Sequence, residues 1–117
     1  MKTSIKKIKE SYVINEEKGV VVCIIAGYTD ILDVRESFKV TGVSKCRPED
    51  KFDVNVGKRL AESKAKISMF KLSRLRNKKA AEELLKIANT LDDVVASNEH
   101  CLVVEIKHLG ELRNEVL

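Results

Sequence analysis

The apolar residues of this chain change their spacing once, and its single proline, Pro48, stands at the change. Before it, Val20–Ala26 (VVVCIIA) is a continuous run rich in β-branched residues, and Ser37–Cys46 alternates, with Phe38 and Val40 on one face and Lys39 and Thr41 on the other. Both are strand patterns. From Val54 onward the period is about 3.6, that of a helix. Pro48 cannot continue a ladder and biases Arg47 towards extended geometry, so Arg47-Pro48-Glu49-Asp50 ends the last strand. Asp50 or Asp53 can then cap a helix. Strands followed by helices make the expected class α+β: a small antiparallel β-sheet of about three strands packed on two to three long helices.

Within the first half, Tyr12–Asn15 reads as a short strand and Asn15-Glu16-Glu17-Lys18-Gly19 as a hairpin loop. Val20–Ala26 suits a central strand covered on both faces. Gly27–Arg35 reads as a looser connection. The sheet is expected over about 11–46. The first ten residues, with four lysines, have the composition of a tail.

The helical half is expected over about 54–97, followed by a C-terminal segment. Its first part carries two apolar stripes. Val56, Leu60, Ile67 and Phe70 form one; Ala61, Ala65, Met69, Leu72 and Leu75 form the other. A helix on a monomer's surface needs only one stripe. Two stripes imply a sheet on one side and a second helix, or a second chain, on the other. Gly57 in the first turn lowers helix propensity, which close approach by another backbone or a ligand would account for, as would chance. Arg76-Asn77-Lys78-Lys79 is a candidate break. Leu84, Ile87, Leu91 and Val94 then recur at spacings of three and four, as in a coiled-coil seam. Ser97-Asn98-Glu99 is a second candidate break. Leu102, Ile106, Leu109 and Val116 fit a helix face, although Leu102–Ile106 also suits a strand. The 117 residues are expected to form a single domain, homo-oligomeric.

No apolar core follows the N-terminal lysines, as a secretory signal would require. The longest apolar run is far too short to span a bilayer. Cys23, Cys46 and Cys101 are odd in number and well separated, which suits unpaired thiols in a reducing compartment. The expected location is therefore cytoplasmic, with no membrane partner. The net charge of +4 is unevenly spread. Between Lys58 and Lys79 lie nine lysines and arginines against Glu62 alone, a pattern that suits an anionic partner.

No catalytic constellation is apparent. His100 and His108 are the only histidines, and no further ligand stands at metal-binding distance from them in sequence. Paired acids at Glu49/Asp50, Glu82/Glu83 and Asp92/Asp93 diverge if they lie on a helix. Glycine-rich phosphate loops are missing. The chain is therefore expected to be no enzyme and to need no cofactor. The strand-to-helix junction, Ser44–Asp53 and on to Gly57-Lys58-Arg59, is the best candidate for anion binding, with Lys45, Arg47, Lys58 and Arg59 as cations. Phe70, Asn89, Asp92 and Arg113 supply the residue types a nucleotide pocket needs: a ring to stack on, an amide and an acid for polar edges, and a cation for phosphate.

The segment Val43-Ser44-Lys45-Cys46-Arg47-Pro48-Glu49-Asp50-Lys51-Phe52-Asp53, followed by Gly57-Lys58-Arg59-Leu60-Ala61, resembles a pattern of small phage proteins, G-x-(A/S)-K-C-x-P-E-D-x-F-D-x-x-x-G-K-x-(I/L)-A. Among these the chain is similar to the first Thoeris anti-defence family, phage sponges for immune signals. Motif identity covers roughly Gly42–Ala61. The resemblance implies a viral protein in the cytoplasm of an infected bacterial host. It further implies binding of cyclic nucleotide signals, namely cyclic ADP-ribose isomers and in some members cyclic di- or trinucleotides, which are sequestered without cleavage. Such proteins act as homodimers or hexamers with pockets between chains. From the motif, Lys58 and Arg59 carry over as phosphate or nucleotide contacts.

Two other readings compete. Three strands and a helix with a basic first turn also resemble a double-stranded-RNA-binding domain. The acids Glu49, Asp50 and Asp53 oppose a nucleic-acid backbone there, and aromatic residues make up only 4%, too few for stacking platforms. The Leu84–Val94 seam alternatively suits a phage protein whose helices bind another protein.

Overall fold

The computed structural model describes residues 3–116. Three strands, β1 (Ser4–Asn15), β2 (Val20–Ile31) and β3 (Val34–Lys45), precede one helix, α1 (Val54–Val116). The strands form an antiparallel sheet in the order β1-β2-β3. The chain divides into two compact units, Met1–Lys79 and Ala80–Leu117.

In the first unit, β2 is central, as its β-branched run requires. Val21, Cys23 and Ile25 are completely buried on one face, with Phe38 from β3 and Ala61, Ala65 and Met69 from α1. The apolar stripe of α1 that meets the sheet is therefore the one containing Ala61, Ala65, Met69 and Leu72. Small residues let the two backbones approach. A Cβ at Gly42 of β3 would overlap the Ala61 carbonyl oxygen and the Ala65 nitrogen. One at Gly57 would lie 2.7 Å from Val21 Cγ2, so the close approach expected at Gly57 is to the sheet. Within the first unit, the other face of β2 carries no helix. Val22, Ile24 and Ala26 there are half-buried, flanked by exposed Val13 and Val43. The expectation that β2 is covered on both faces is corrected accordingly.

The strands exceed their expected limits. Lys6, Lys7 and Lys9 belong to β1, whose backbone pairs with β2 from Ser4 onward, while Lys2 lies outside the described residues. An edge strand needs few apolar side chains, which is why composition hides it. A bulge at Ile8 interrupts this pairing. Gly27–Arg35 is not a loose connection: β2 runs to Ile31 and β3 starts at Val34. The two-residue turn consists of Leu32 and Asp33, with φ of 51° and 66°. This left-handed pair is the signature of a type I′ hairpin turn, in which asparagine and glycine are favoured and leucine is rare. Beside it, Arg35 Nε donates to Asp30 Oδ1 at 3.0 Å, and its guanidinium lies 3.7 Å from the Tyr28 ring centroid.

One helix replaces the two to three expected. Its start is capped by Asp53, whose Oδ1 accepts from Asn55 N at 2.9 Å and Val56 N at 3.3 Å. The expected break at Arg76–Lys79 does not occur, because Arg76 is occupied by the sheet. Its Nη1 donates to Thr29 Oγ1 at 3.0 Å and to the Glu36 carbonyl at 3.1 Å, and its Nη2 to the Ser37 carbonyl at 2.9 Å. Asn77 Nδ2 donates to the Ser73 carbonyl at 2.8 Å, a bond along the helix. Ser97-Asn98-Glu99 also stays helical. These residues cost only tenths of a kcal/mol each in helix propensity, and neither glycine nor proline is among them. Leu102–Ile106 is helix, not strand.

In the second unit every described residue from 81 to 115 is exposed. Leu84, Ile87, Leu91, Val94, Leu102, Ile106 and Leu109 are among them, each with about half or more of its surface in solvent. Among the described residues, no helix is long and apolar enough to cross a membrane.

Candidate functional site

The β3-to-α1 junction folds into a concavity of about 310 Å³. Its polar wall contains Ser44, Lys45, Arg47, Asp50 and Lys51; its apolar wall contains Phe52, Val56 and Leu60. The hairpin loop and the junction are tied together. Gly19, at φ +63°, accepts from Cys46 N at 2.8 Å, and a Cβ on it would crowd Cys46. Asp50 N donates to the Arg47 carbonyl at 3.0 Å, which closes the turn around Pro48. Phe52 packs on the core and anchors the segment.

The helix N-terminus contributes no anion site of its own here, since the Asp53 carboxylate takes up its first free N–H groups. Three side-chain cations, Lys45, Arg47 and Lys51, supply the positive charge around the concavity, against the carboxylates of Asp50 and Asp53. Val56 and Leu60 belong to two structures at once. They line the concavity, and they begin the stripe Val56, Leu60, Ile67, Phe70 that the sheet leaves uncovered, at 44 to 57% exposure.

The site residues expected from sequence fall in different places. Arg47 lines the concavity. Lys58 faces β1 instead, with its ammonium 5.4 Å from the Tyr12 ring centroid. That ring sits beside an ionic cluster in which Glu62 receives the Tyr12 hydroxyl at 3.4 Å and pairs with Lys66 at 2.7 Å. The Lys66 ammonium, hydrogen-bonded to Glu62, holds the carboxyl of Glu62 below its ordinary range. Arg59 is exposed on the helix. Phe70 lies with Ile67, Lys71 and Arg74 around a second, shallower depression of about 280 Å³. Asn89, Asp92 and Arg113 are exposed on the helix of the second unit. Asn89 and Asp92 are about one turn apart, whereas Arg113 is about 36 Å of helix rise from Asn89. One chain therefore does not gather these three around one ligand.

Sequence reasoning named the junction Ser44–Asp53 as a whole but did not single out Lys51 and Phe52, which line the concavity. Phe52 was detectable in the motif, being its only aromatic residue. Among the described residues, no group of three or more His, Cys, Asp or Glu could hold a metal ion. No buried side-chain nitrogen or oxygen among them lacks a hydrogen bond. No protein-family model, no curated protein and no solved structure matches the chain.

Proposed function

We propose that the protein is a non-catalytic phage sponge, which binds an anionic cyclic nucleotide signal in the host cytoplasm and withholds it intact from its receptor. The observation that carries the proposal is the junction itself. The segment resembling the Thoeris anti-defence pattern forms a concavity that offers Lys45, Arg47 and Lys51 to phosphate and Phe52 with Leu60 to a base. The working form is a homo-oligomer. A second copy laid over Val56 and Leu60 would wall off the concavity's open side, and a pocket shared between chains suits so small a fold. Asn89, Asp92 and Arg113 would then contribute from another copy.

The test is a thermal-shift series with cyclic ADP-ribose isomers, cyclic dinucleotides and a short RNA duplex. A ligand at about 100 times its Kd adds roughly 2.7 kcal/mol, a rise of several degrees. A shift with a cyclic nucleotide, followed by recovery of unaltered ligand after denaturation, supports the sponge. Altered ligand would indicate an enzyme. A response to the duplex alone would indicate a nucleic-acid-binding module.

A further inference from the structure

Within the first unit, the face of the sheet turned away from α1 has a charge pattern of its own. Residues paired across strands share a face, so the register places three rows there. Ser4, Asp30 and Arg35 make one row, Lys6, Tyr28 and Ser37 the next, and Lys9, Ala26 and Lys39 the third. Lys6 and Lys9 stand exposed on one outer strand, Arg35 and Lys39 on the other, and the floor between them holds half-buried Tyr28 and Ala26. Among the described strand residues of this face, Asp30 is the only acid, and it holds Arg35. Its carboxylate, 6% exposed, accepts from Arg35 Nε at 3.0 Å and Nη2 at 3.3 Å, while the arginine side chain stays 58% exposed. This fork fixes the guanidinium over the Tyr28 ring, 3.7 Å from its centroid. A fixed guanidinium plane stacks on a nucleobase much as an aromatic ring does. The scarcity of aromatic residues therefore understates the stacking surface of the chain.

We propose that this face binds single-stranded nucleic acid, with phosphates held by the lysines of β1 and β3 and a base stacked on Arg35. Neighbouring strands lie about 4.8 Å apart, so the backbones of Lys9 and Lys39 stand roughly 10 Å apart on either side of Ala26. Both ammoniums can reach one phosphodiester strand laid over that small side chain. Arg35 lies two rows along, roughly 13 Å away at 3.3 Å per residue, within reach of a base of the same strand. An open sheet face has no walls to enclose a small ligand, but it suits a polymer that runs on past the site. A duplex matches less well, because its bases are paired inside and cannot splay onto the Arg35 plate. A lipid surface also matches less well: Ala26 and Tyr28 sit on the central strand between the lysines and do not project beyond them. None of Lys6, Lys9, Arg35 and Lys39 lines the junction concavity, so this inference is independent of the sponge reading.

Fluorescence anisotropy of the full-length protein with a labelled oligouridine of about 15 nucleotides tests it. Binding is expected with a Kd of about 1–100 µM and should weaken as salt rises. Each phosphate contact contributes about 0.7 to the slope of log K against log salt for a single strand, so Lys9→Gln combined with Lys39→Gln should flatten the slope by about 1.4. Arg35→Lys keeps the charge and removes the plate. It should weaken binding by about fivefold or more and leave the slope unchanged. Lys9 and Lys39 are exposed, so their variant stays folded and keeps the test readable even where Arg35→Lys does not fold. The control is Lys71→Gln with Lys78→Gln, two exposed cations of α1, which should change nothing. Equal loss in that control would put the strand on the helix and overturn the inference. An adenosine–uridine duplex of the same length bound as tightly as the single strand would overturn it too. So would binding to phosphatidylserine vesicles with no binding of the oligonucleotide, or no binding of any probe.

Discussion

Gly42 and Ala61 touch backbone to backbone: the space a Gly42 Cβ would need is filled by the Ala61 carbonyl oxygen. The helix sits on the sheet at this point with no side chain between them. Gly42→Ala must push α1 away from β3 and loosen the packing of Ala61 and Ala65. Overpacking of this kind costs about 1–3 kcal/mol. The midpoint of thermal unfolding should fall by at least several degrees, and Gly42→Val should lower it further. An unchanged midpoint in Gly42→Ala would mean that the helix is not seated so closely.

Arg76 joins α1 to the far end of the sheet through Thr29, Glu36 and Ser37, with its side chain largely buried. Arg76→Met keeps the stem and removes the planar fork. Hydrogen bonds from a charged donor contribute about 1.5–3 kcal/mol each, so a loss of roughly 2 kcal/mol is expected in urea unfolding. Arg76→Lys should recover only part of it, since an ammonium cannot reach two carbonyls and a hydroxyl in the same geometry. Full recovery with lysine would make charge alone responsible.

Leu32 holds a left-handed backbone for which leucine is poorly suited. Leu32→Asn should stabilise the protein by about 1 kcal/mol, because asparagine adopts this conformation with less strain. Calorimetry should show a higher midpoint. A lower one would mean that the partly buried Leu32 side chain contributes more than its backbone costs.

The thiols should differ in reactivity. Cys101 is exposed and Cys46 half-buried, while Cys23 is fully buried and burial pushes its thiol pKa up. With a chromogenic disulfide reagent at neutral pH, Cys101 should react first and Cys46 more slowly. Cys23 should stay silent until denaturant is added. A third thiol titrating in the native protein would contradict the core at Val21, Cys23 and Ile25.

For the proposed ligand site, Arg47→Ala should weaken binding of the responding cyclic nucleotide by about tenfold, which corresponds to roughly 1.4 kcal/mol. Lys58→Ala should have a smaller effect, because Lys58 lies over Tyr12 and not in the concavity. The reverse order, measured by calorimetric titration, would move the site to the β1 side of the helix.

Sequence patterns carry the broad class well, since the change of period at Pro48 separates sheet from helix. They also locate the junction, because Pro48, Asp53 and Gly57 each have a local role. What they hide is set by long-range contacts. Lys6, Lys7 and Lys9 look like a tail until β2 supplies their hydrogen bonds. Leu32 lacks turn chemistry, and the strand pairing on both sides of the turn is a long-range contact that local sequence does not reveal. Arg76-Asn77-Lys78-Lys79 looks like a break because the sheet groups that receive Arg76 lie some forty residues earlier. Lys58 and Arg47 stand at equally basic positions in the motif, and only the packing of α1 sends them to different sides.

The bulge at Ile8 bears on how the protein can assemble. β1 and β3 are both edge strands of twelve residues, long enough to recruit a further chain and grow into an open stack. On β1 the extra residue breaks the regular spacing of the edge, and Lys6, Lys7 and Lys9 surround the break with charge. Edge-to-edge growth has no natural end point, so an edge that resists pairing limits it. The single irregular residue of the first strand thus works against growth from the β1 edge.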